Sequence, residues 1–361
     1  MKPLSAFTST YGRLLLGSAA AFSLLACESN EAPRPVTIPT NSVLVVNEGN
    51  FQKSNADISV VGRSSGSVLY KAAFLDANKA ALGDVAQSLT IEGPRAYVVL
   101  NNSNKVQVVS LPHFEAVASI EGLKLPRYFT AASASKGYVT ETVKYDGNNG
   151  QVSAIDLTTN SVLKTISVGV QPEKLLVVGS RLYVTNSGGN TVTVINTSTD
   201  AVEGTIPVGD SPNSLAADQA GNVWVLSGGK VAYNADYSVD YARTTKGSLS
   251  RIVPGQLTAT TREMDSNQSA PGRLTINGSR SQLYYTYKGA VYTLAVTDAA
   301  LPATPLIKRR FYGLGIDPQD NTIYGGIGSF TAADKVIRYR STGAPIDSFT
   351  VGIGPNGFVF Y

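Results

Sequence analysis

Histidine, cysteine and tryptophan each occur once in 361 residues and methionine twice, and each scarcity removes a class of chemistry. A lone Cys27 excludes an internal disulfide framework and a thiolate metal site. His113 by itself assembles neither a Ser-His-Asp triad nor a histidine metal cluster, and within Leu111-Pro112-His113-Phe114 it reads as a turn residue. Charged residues make up only 16% of the chain, with a formal net charge of +4. They are dispersed, and Lys308-Arg309-Arg310 is too short a run to serve as a nucleic-acid patch. No segment carries a helical period of apolar residues, and the longest apolar run, Leu14 to Ala26, falls short of the ~20 residues that cross a bilayer.

What remains abundant is turn and strand chemistry. The chain has 34 glycines and 43% hydrophobic residues, enough for a sizeable core cut by many tight turns. Runs such as Thr191-Val192-Thr193-Val194-Ile195 and Gln151-Val152-Ser153-Ala154-Ile155 alternate as half-buried strands do. An aromatic or Leu-led strand recurs at Leu44, Tyr97, Tyr138, Tyr183, Trp224, Tyr284 and Tyr324, with spacings of 53, 41, 45, 41, 60 and 40 residues. A unit of about 40 residues repeated seven times, each too small to bury both faces of its own sheet, finds cover only against like neighbours. The expected fold is therefore an all-β, seven-bladed β-propeller. Trp224 stands where sister units have tyrosine and reads as core.

The termini indicate how the ring closes. Internal units pass from a Gly-x-x-Pro turn into an inner strand, as at Pro172 to Val178, and then into the Tyr183-type strand. The first unit lacks that inner strand while the chain ends with a spare one, Pro355 to Tyr361, so the C-terminal strand is expected to complete the N-terminal blade. If inner strands run from top to bottom, second-to-third and outer-to-inner connections all emerge on top. The bottom turns are then short and polar, among them Arg63-Ser64-Ser65-Gly66 and Ala220-Gly221-Asn222. The long stretches 48–55, 75–84, 142–149, 227–246 and 327–334 all fall on top, which is where a rigid scaffold would hold binding residues.

Those connections supply the candidate ligand-binding set. The longest carries Tyr233, Tyr237 and Tyr241 with Arg243 and Lys246, and its neighbours add Phe51, Lys144, Tyr145 and Phe330. Starts of inner strands, near the mouth of a central channel, offer Gln87, Arg127, Tyr128 and Glu173, and further round Asn213, Arg273, Phe311 and Tyr312. Tyrosine presents a flat apolar face with a polar tip, which suits a sizeable ligand of mixed apolar and amide character. Gly352 to Gly357 matches a dinucleotide fingerprint letter by letter but leads into a strand, so it reads as a blade turn. Asp146-Gly147-Asn148-Asn149-Gly150 lacks calcium-loop spacing and reads as a solvated turn. No metal or cofactor is expected. A carboxylate-based hydrolase or lactonase remains an alternative, should Glu48, Asp84, Glu141, Asp146 and Glu173 converge near the axis.

The N-terminus has the layout of a targeting signal. Lys2 and Arg13 precede the short apolar run, and Leu24-Leu25-Ala26-Cys27 resembles a bacterial lipobox, Leu25 being bulkier than usual. The expected organisation is a lipoprotein signal peptide over 1–27 ending at a lipidated Cys27, a flexible tether over 28–42 with three prolines, and the propeller over 43–361. Removal of Lys2 and Arg13 leaves a formal charge of about +2.

Tyr183-Val184-Thr185-Asn186, followed by Thr205-Ile206-Pro207-Val208-Gly209 and Pro212, resembles the YVTN or YncE-like propellers over all seven units. More narrowly, Val46-Asn47-Glu48-Gly49-Asn50-Phe51, Leu82 to Ser88, Leu125-Pro126-Arg127-Tyr128 and Gly169 to Glu173 resemble bacterial surface lipoproteins with the domain DUF5074, a group that includes the BtuG-type vitamin B12-capture proteins. That resemblance implies a non-enzymatic module that binds cobalamin or another corrinoid on its top face and passes it to a TonB-dependent outer-membrane transporter. It further implies a monomeric propeller that meets the membrane only through its lipid, displayed on the cell surface rather than facing the periplasm. The acidic run that usually follows the cysteine in exported members is broken here, as Ser29 and Asn30 separate Glu28 from Glu31. An adhesive or structural propeller that binds protein or glycan is the rival reading.

Overall fold

The computed structural model describes residues 35–361. Seven antiparallel sheets stand around a central axis, and their inner strands are Pro355–Phe360, Ala86–Glu92, Pro126–Ser133, Pro172–Val178, Pro212–Ala217, Gly272–Ile276 and Gly313–Ile316. Each inner strand packs against the next and the last against the first, which closes the ring. We number the blades 1 to 7 in that order. Blade 1 comprises Ser42–Asn47, Asp57–Gly62 and Val68–Tyr70 together with the C-terminal strand, whose Phe360, Val359, Phe358 and Gly357 pair with Val43, Leu44, Val45 and Val46. The expected fold and its closure are both observed.

Burial grades outward along each blade for a physical reason. Middle strands such as Arg181–Asn186 and Thr191–Asn196 are covered on both faces by adjacent blades, and their four central residues are all buried. Outer strands such as Ala201–Pro207 are half exposed. Anchors Tyr97, Tyr138, Tyr183, Tyr284 and Tyr324 and their counterpart Trp224 are buried between blades, and Trp224 Nε1 donates to Asp218 at 2.9 Å.

Three elements differ from the sequence expectations. Blade 6 has three strands, and its fourth position is reduced to an isolated bridge between Val291 and Ile307. Pro302 and Pro305 occupy the approach to that edge, and proline has no N–H to give a ladder. The connection after Val68–Tyr70 contains a short helix, Ala73–Asn78, whose first turn is tied down by Asp57, its carboxylate accepting from Phe74 N and Leu75 N at 3.0 and 3.1 Å. The segment expected as tether is docked from Pro35 onward. Val36 and Ile38 are buried, Ile38 N donates to Pro112 O at 2.9 Å, and His113 Nδ1 lies 3.1 Å from Val36 O. Cys27, the lipobox and residues 28–34 lie outside the described residues. No described helix is long and apolar enough to cross a membrane.

The seam between blades 7 and 1 holds a buried charge pair. Arg63, expected in a polar bottom turn, is 7% exposed and lies 3.3 Å from Asp317, itself fully buried. Tyr324 Oη and Arg338 Nη1 both donate to the Arg63 carbonyl, at 3.3 and 2.6 Å.

Candidate functional site

The register of the inner strands explains how the channel mouth is built. In six blades the ladder between inner and second strands shifts near the top, at Ala86/Ser88, Pro126/Phe129, Pro172/Leu175, Pro212/Ser214, Gly272/Thr275 and Pro355/Gly357. Such bulges leave residues out of the ladder and re-aim their side chains. The displaced residues are Gln87, Arg127 with Tyr128, Glu173 with Lys174, Asn213, Arg273 with Leu274, and Asn356, and all line one cavity of about 510 Å³ at the top of the axis. Second-strand threonines satisfy the freed backbone: Thr140 Oγ1 accepts from Tyr128 N at 3.0 Å and donates to Glu173 O at 2.8 Å, and Thr185 Oγ1 accepts from Lys174 N at 3.0 Å.

Blade 6 departs from its sisters. In blades 1 to 5 the residue just before the inner strand is left-handed, namely Gly354, Val85, Leu125, Gln171 and Ser211. In blade 6 that conformation falls on Arg273, with φ +59°, inside the strand and at the cavity. A long side chain held in the left-handed region is strain that the surrounding fold sustains, and such positions cluster at functional sites.

Electrostatics within the mouth are uneven. Arg127 grips Glu173 through two parallel bonds of 2.8 Å, from Nε and Nη2. Burial pushes the guanidinium down, but Glu173 more than offsets this and holds it above its ordinary value. Glu48 accepts from Tyr312 Oη and, at 3.3 Å, from Asn356 Nδ2. The Tyr312 hydroxyl is raised by burial and by that carboxylate. Tyr128, 8% exposed, accepts from Gln87 Nε2 at 2.9 Å, and its hydroxyl is pushed up to about 12 by burial and Glu173, against Arg127 and Arg273. Lys174 lies over the Tyr128 ring at 3.7 Å and Arg273 over the Tyr312 ring at 4.9 Å. Burial, with Arg273 and Arg127 adding repulsion against the pull of Glu173, brings the Lys174 ammonium down to about 7.

Further recesses adjoin the mouth across the top. One of about 850 Å³ shares Gly272, Arg273 and Tyr312 with it and adds Lys288 and Arg310. A smaller one shares Arg127, Glu173 and Asn213 and adds Tyr145. Its Gln171 and Ser187 also line a neighbouring recess of about 780 Å³ edged by Lys230 and Tyr233.

The sequence-derived set divides accordingly. Gln87, Arg127, Tyr128, Glu173, Asn213, Arg273 and Tyr312 meet at the mouth, and Tyr145 and Tyr233 line the neighbouring recesses. Phe330 is half-buried and packs edge-on against Tyr312 at 5.1 Å. Phe51 is 63% exposed on the loop whose Gln52 N is held by Asp84, and Lys144 is exposed beside Asp146 at 3.5 Å. Phe311 departs from expectation. Its ring is buried between blades against Tyr339, where Gly325 opposite leaves room for it in the core, and it also lines the blade-6 recess.

The tyrosine-rich connection is itself a hairpin. Tyr233 bridges Val239, Thr245 N donates to Lys230 O, and Arg243 Nη2 donates to Tyr233 O at 2.8 Å. Tyr237, at 88% exposure, stands at its tip, and Asn267 Nδ2 donates to Tyr241 O at 2.7 Å.

Sequence reasoning missed Lys174, Asn356 and the lining role of Leu274. Their signal was position, one or two residues after the inner-strand Pro or Gly, where sister blades carry Arg127, Glu173 and Asn213. Of the five carboxylates weighed for catalysis, Glu48 and Glu173 reach the mouth. Glu141 is enclosed in blade 3, accepting from Lys124 N at 2.6 Å and Ser153 Oγ at 2.5 Å, and Asp84 accepts from Gln52 N and Asn102 Nδ2. Among the described residues no group of three or more His, Cys, Asp or Glu is placed to hold a metal ion.

Solved structures share the architecture at low identity. A quinonprotein alcohol dehydrogenase-like protein from Bacteroides thetaiotaomicron superposes with a TM-score of 0.66 at 13% identity, covering 89% of this chain and 78% of its own. A protein of Desulfotomaculum acetoxidans described as functionally unknown gives 0.64 at 11%, covering 88% and 97%. A protein of Bacteroides fragilis provisionally assigned as a 6-phosphogluconolactonase gives 0.63 at 14%, covering 88% and 98%. At such identities the likeness is one of fold alone. No curated protein matches the chain. A family model described as a domain of unknown function, DUF5074, matches residues 41–351, nearly the whole propeller, and the chain belongs to that family.

Proposed function

We propose that this protein is a capture module without catalytic activity, which binds a corrinoid on the top face of the propeller and passes it to a TonB-dependent transporter of the outer membrane. The carrying observation is the group of neighbouring recesses on the top face, edged by Tyr233, by Tyr145, by the mouth residues and by Tyr312 with Lys288. Recesses set side by side and lined by aromatic, amide and charged side chains suit a large flat ligand with amide groups at its edge. The segments that resemble the B12-capture lipoproteins also supply Glu48, Gln87, Arg127, Tyr128 and Glu173, all at that mouth. Glu173 is neutralised by Arg127, and Glu48 is held by Tyr312 and Asn356, which favours binding over acid–base work. In this reading Cys27 carries lipid that places the protein at the cell surface as a monomer.

Titration calorimetry of the purified protein with cyanocobalamin tests the assignment. One-to-one binding with a dissociation constant below micromolar is expected. A flat titration at micromolar concentrations would favour the adhesive reading.

A further inference from the structure

Two cations at the channel mouth form no ion pair among the described residues. Arg127 is committed to Glu173 and Glu48 to Tyr312, but the recorded contacts of the charged ends of Lys174 and Arg273 are with the faces of Tyr128 and Tyr312. Aromatic faces stabilise a cation modestly and leave its N–H donors free for an acceptor. Both side chains stand on ladder bulges that aim them into the 510 Å³ cavity, and Arg273 is held there in a strained backbone conformation.

We propose that the channel mouth is an oxyanion subsite in which Lys174 and Arg273 together receive a phosphate or carboxylate group of the bound ligand. The inference rests on the top face being the binding face and adds to it the charge of the ligand's inserted end. Arginine offers a planar fork to such groups and lysine a point charge, and the partly enclosed cavity strengthens both. Asn213, whose Nδ2 already donates to Pro271 O at 3.1 Å, and Ser214, whose hydroxyl donates to Asn213 at 2.7 Å, form the neutral wall between them.

The site is expected to be pH-dependent. Lys174 faces Glu173 on its own strand, Arg127 and Tyr128 on the blade-3 strand and Arg273 on the blade-6 strand. The blade-5 strand contributes only neutral Asn213 and Ser214, Glu48 and Tyr312 line the same cavity, and Glu141 on the strand behind is closed within blade 3. With its ammonium titrating near 7, Lys174 loses its proton, and the site a charge, as pH rises through neutrality.

Sulfate is the probe of choice because its own charge is constant over this range, and acetate run in parallel separates a tetrahedral from a planar preference. Calorimetry on the whole purified protein should show saturable binding of one oxyanion, tighter at pH 6 than at pH 8.5 by threefold or more. Tighter sulfate assigns the subsite to a phosphate-like group, and tighter acetate to a carboxylate. Lys174→Gln and Arg273→Gln should each weaken binding at least tenfold, with the pH dependence lost in Lys174→Gln. Lys164→Gln combined with Arg340→Gln, two exposed cations away from the mouth and the recesses beside it, should leave it within twofold. In the wild-type protein, where no variant need fold, the NMR titration midpoint of Lys174 should rise on adding sulfate. No saturable binding, binding unaffected by either mouth variant, or an unmoved Lys174 midpoint would each overturn the proposal. None of these readouts uses cyanocobalamin, so the subsite can fail or stand separately from the corrinoid assignment.

Discussion

At the scale of single residues, Lys174 shows how the site and stability oppose one another. An ammonium sunk beside Arg273 and Arg127 titrates near 7 in the fold, against ~10.4 in an unfolded chain. Between those values the unfolded chain holds one more proton than the folded one, so the penalty of burying this lysine shrinks as pH climbs from 7 toward 10. Below 7 both states are protonated and the full penalty applies. Lys174→Met, which keeps the length of the side chain, should therefore raise the melting temperature at pH 6, and the gain should fade by pH 10. Thermal melts of the two proteins at both pH values check this, and an equal gain at both would mean that the lysine is not strained by its charge. Arg63 is the converse case: a buried cation kept beside buried Asp317, structural where the sequence suggested an exposed turn.

At the scale of elements, the same ladder shift serves as scaffold and as site. Bulges near the starts of six inner strands give the mouth its lining, while the long top connections extend it outward. The hairpin carrying Tyr233, Tyr237 and Tyr241 is held by its own bonds and by Asn267, so removing its aromatic side chains should leave the blade intact. Anchoring aromatics are typically worth about 2 kcal/mol each. The triple replacement of these tyrosines by Ala should then weaken corrinoid binding at least a hundredfold with an unchanged melting curve. Ser341→Ala with Thr342→Ala, exposed on the bottom, should leave affinity as it is. A reversed pattern would put the binding face on the wrong side of the ring.

At the scale of the whole molecule, closure depends on one strand. Pro355–Phe360 pairs with Ser42–Asn47, and its Phe358 and Phe360 rings lie 5.7 and 5.5 Å from Tyr324 of blade 7. Deletion of Pro355 to Tyr361 would strip blade 1 of its inner strand and expose an unpaired edge and apolar faces on both sides. The product should aggregate or melt well below the parent in a thermal scan, and an unchanged melt would mean that the ring closes another way. The anchor is a separate test. Cys27→Ala should abolish palmitate labelling and detergent partitioning while the propeller melts as before, and equal labelling would remove the lipid from the account.

Repeat period, blade number and closure were legible in the chain because strand alternation and turn residues are local, and seven similar units admit one way of burying both faces. Arg127 and Glu173 were legible as mouth residues because each directly follows an inner-strand proline, and Tyr128 because it comes next after Arg127. What the chain did not disclose was decided by packing across blades. Phe311 turns inward because Gly325 on the next strand leaves a void, and Val36 and Ile38 are buried because the outer faces of blades 1 and 2 offer them an apolar seat. Arg63 meets Asp317 only once the ring is shut. The repulsion that Lys174 feels likewise exists only in three dimensions, since Arg273 is distant in sequence and reaches it across the channel. Burial and charge proximity are properties of the closed ring, and no local pattern of residues encodes them.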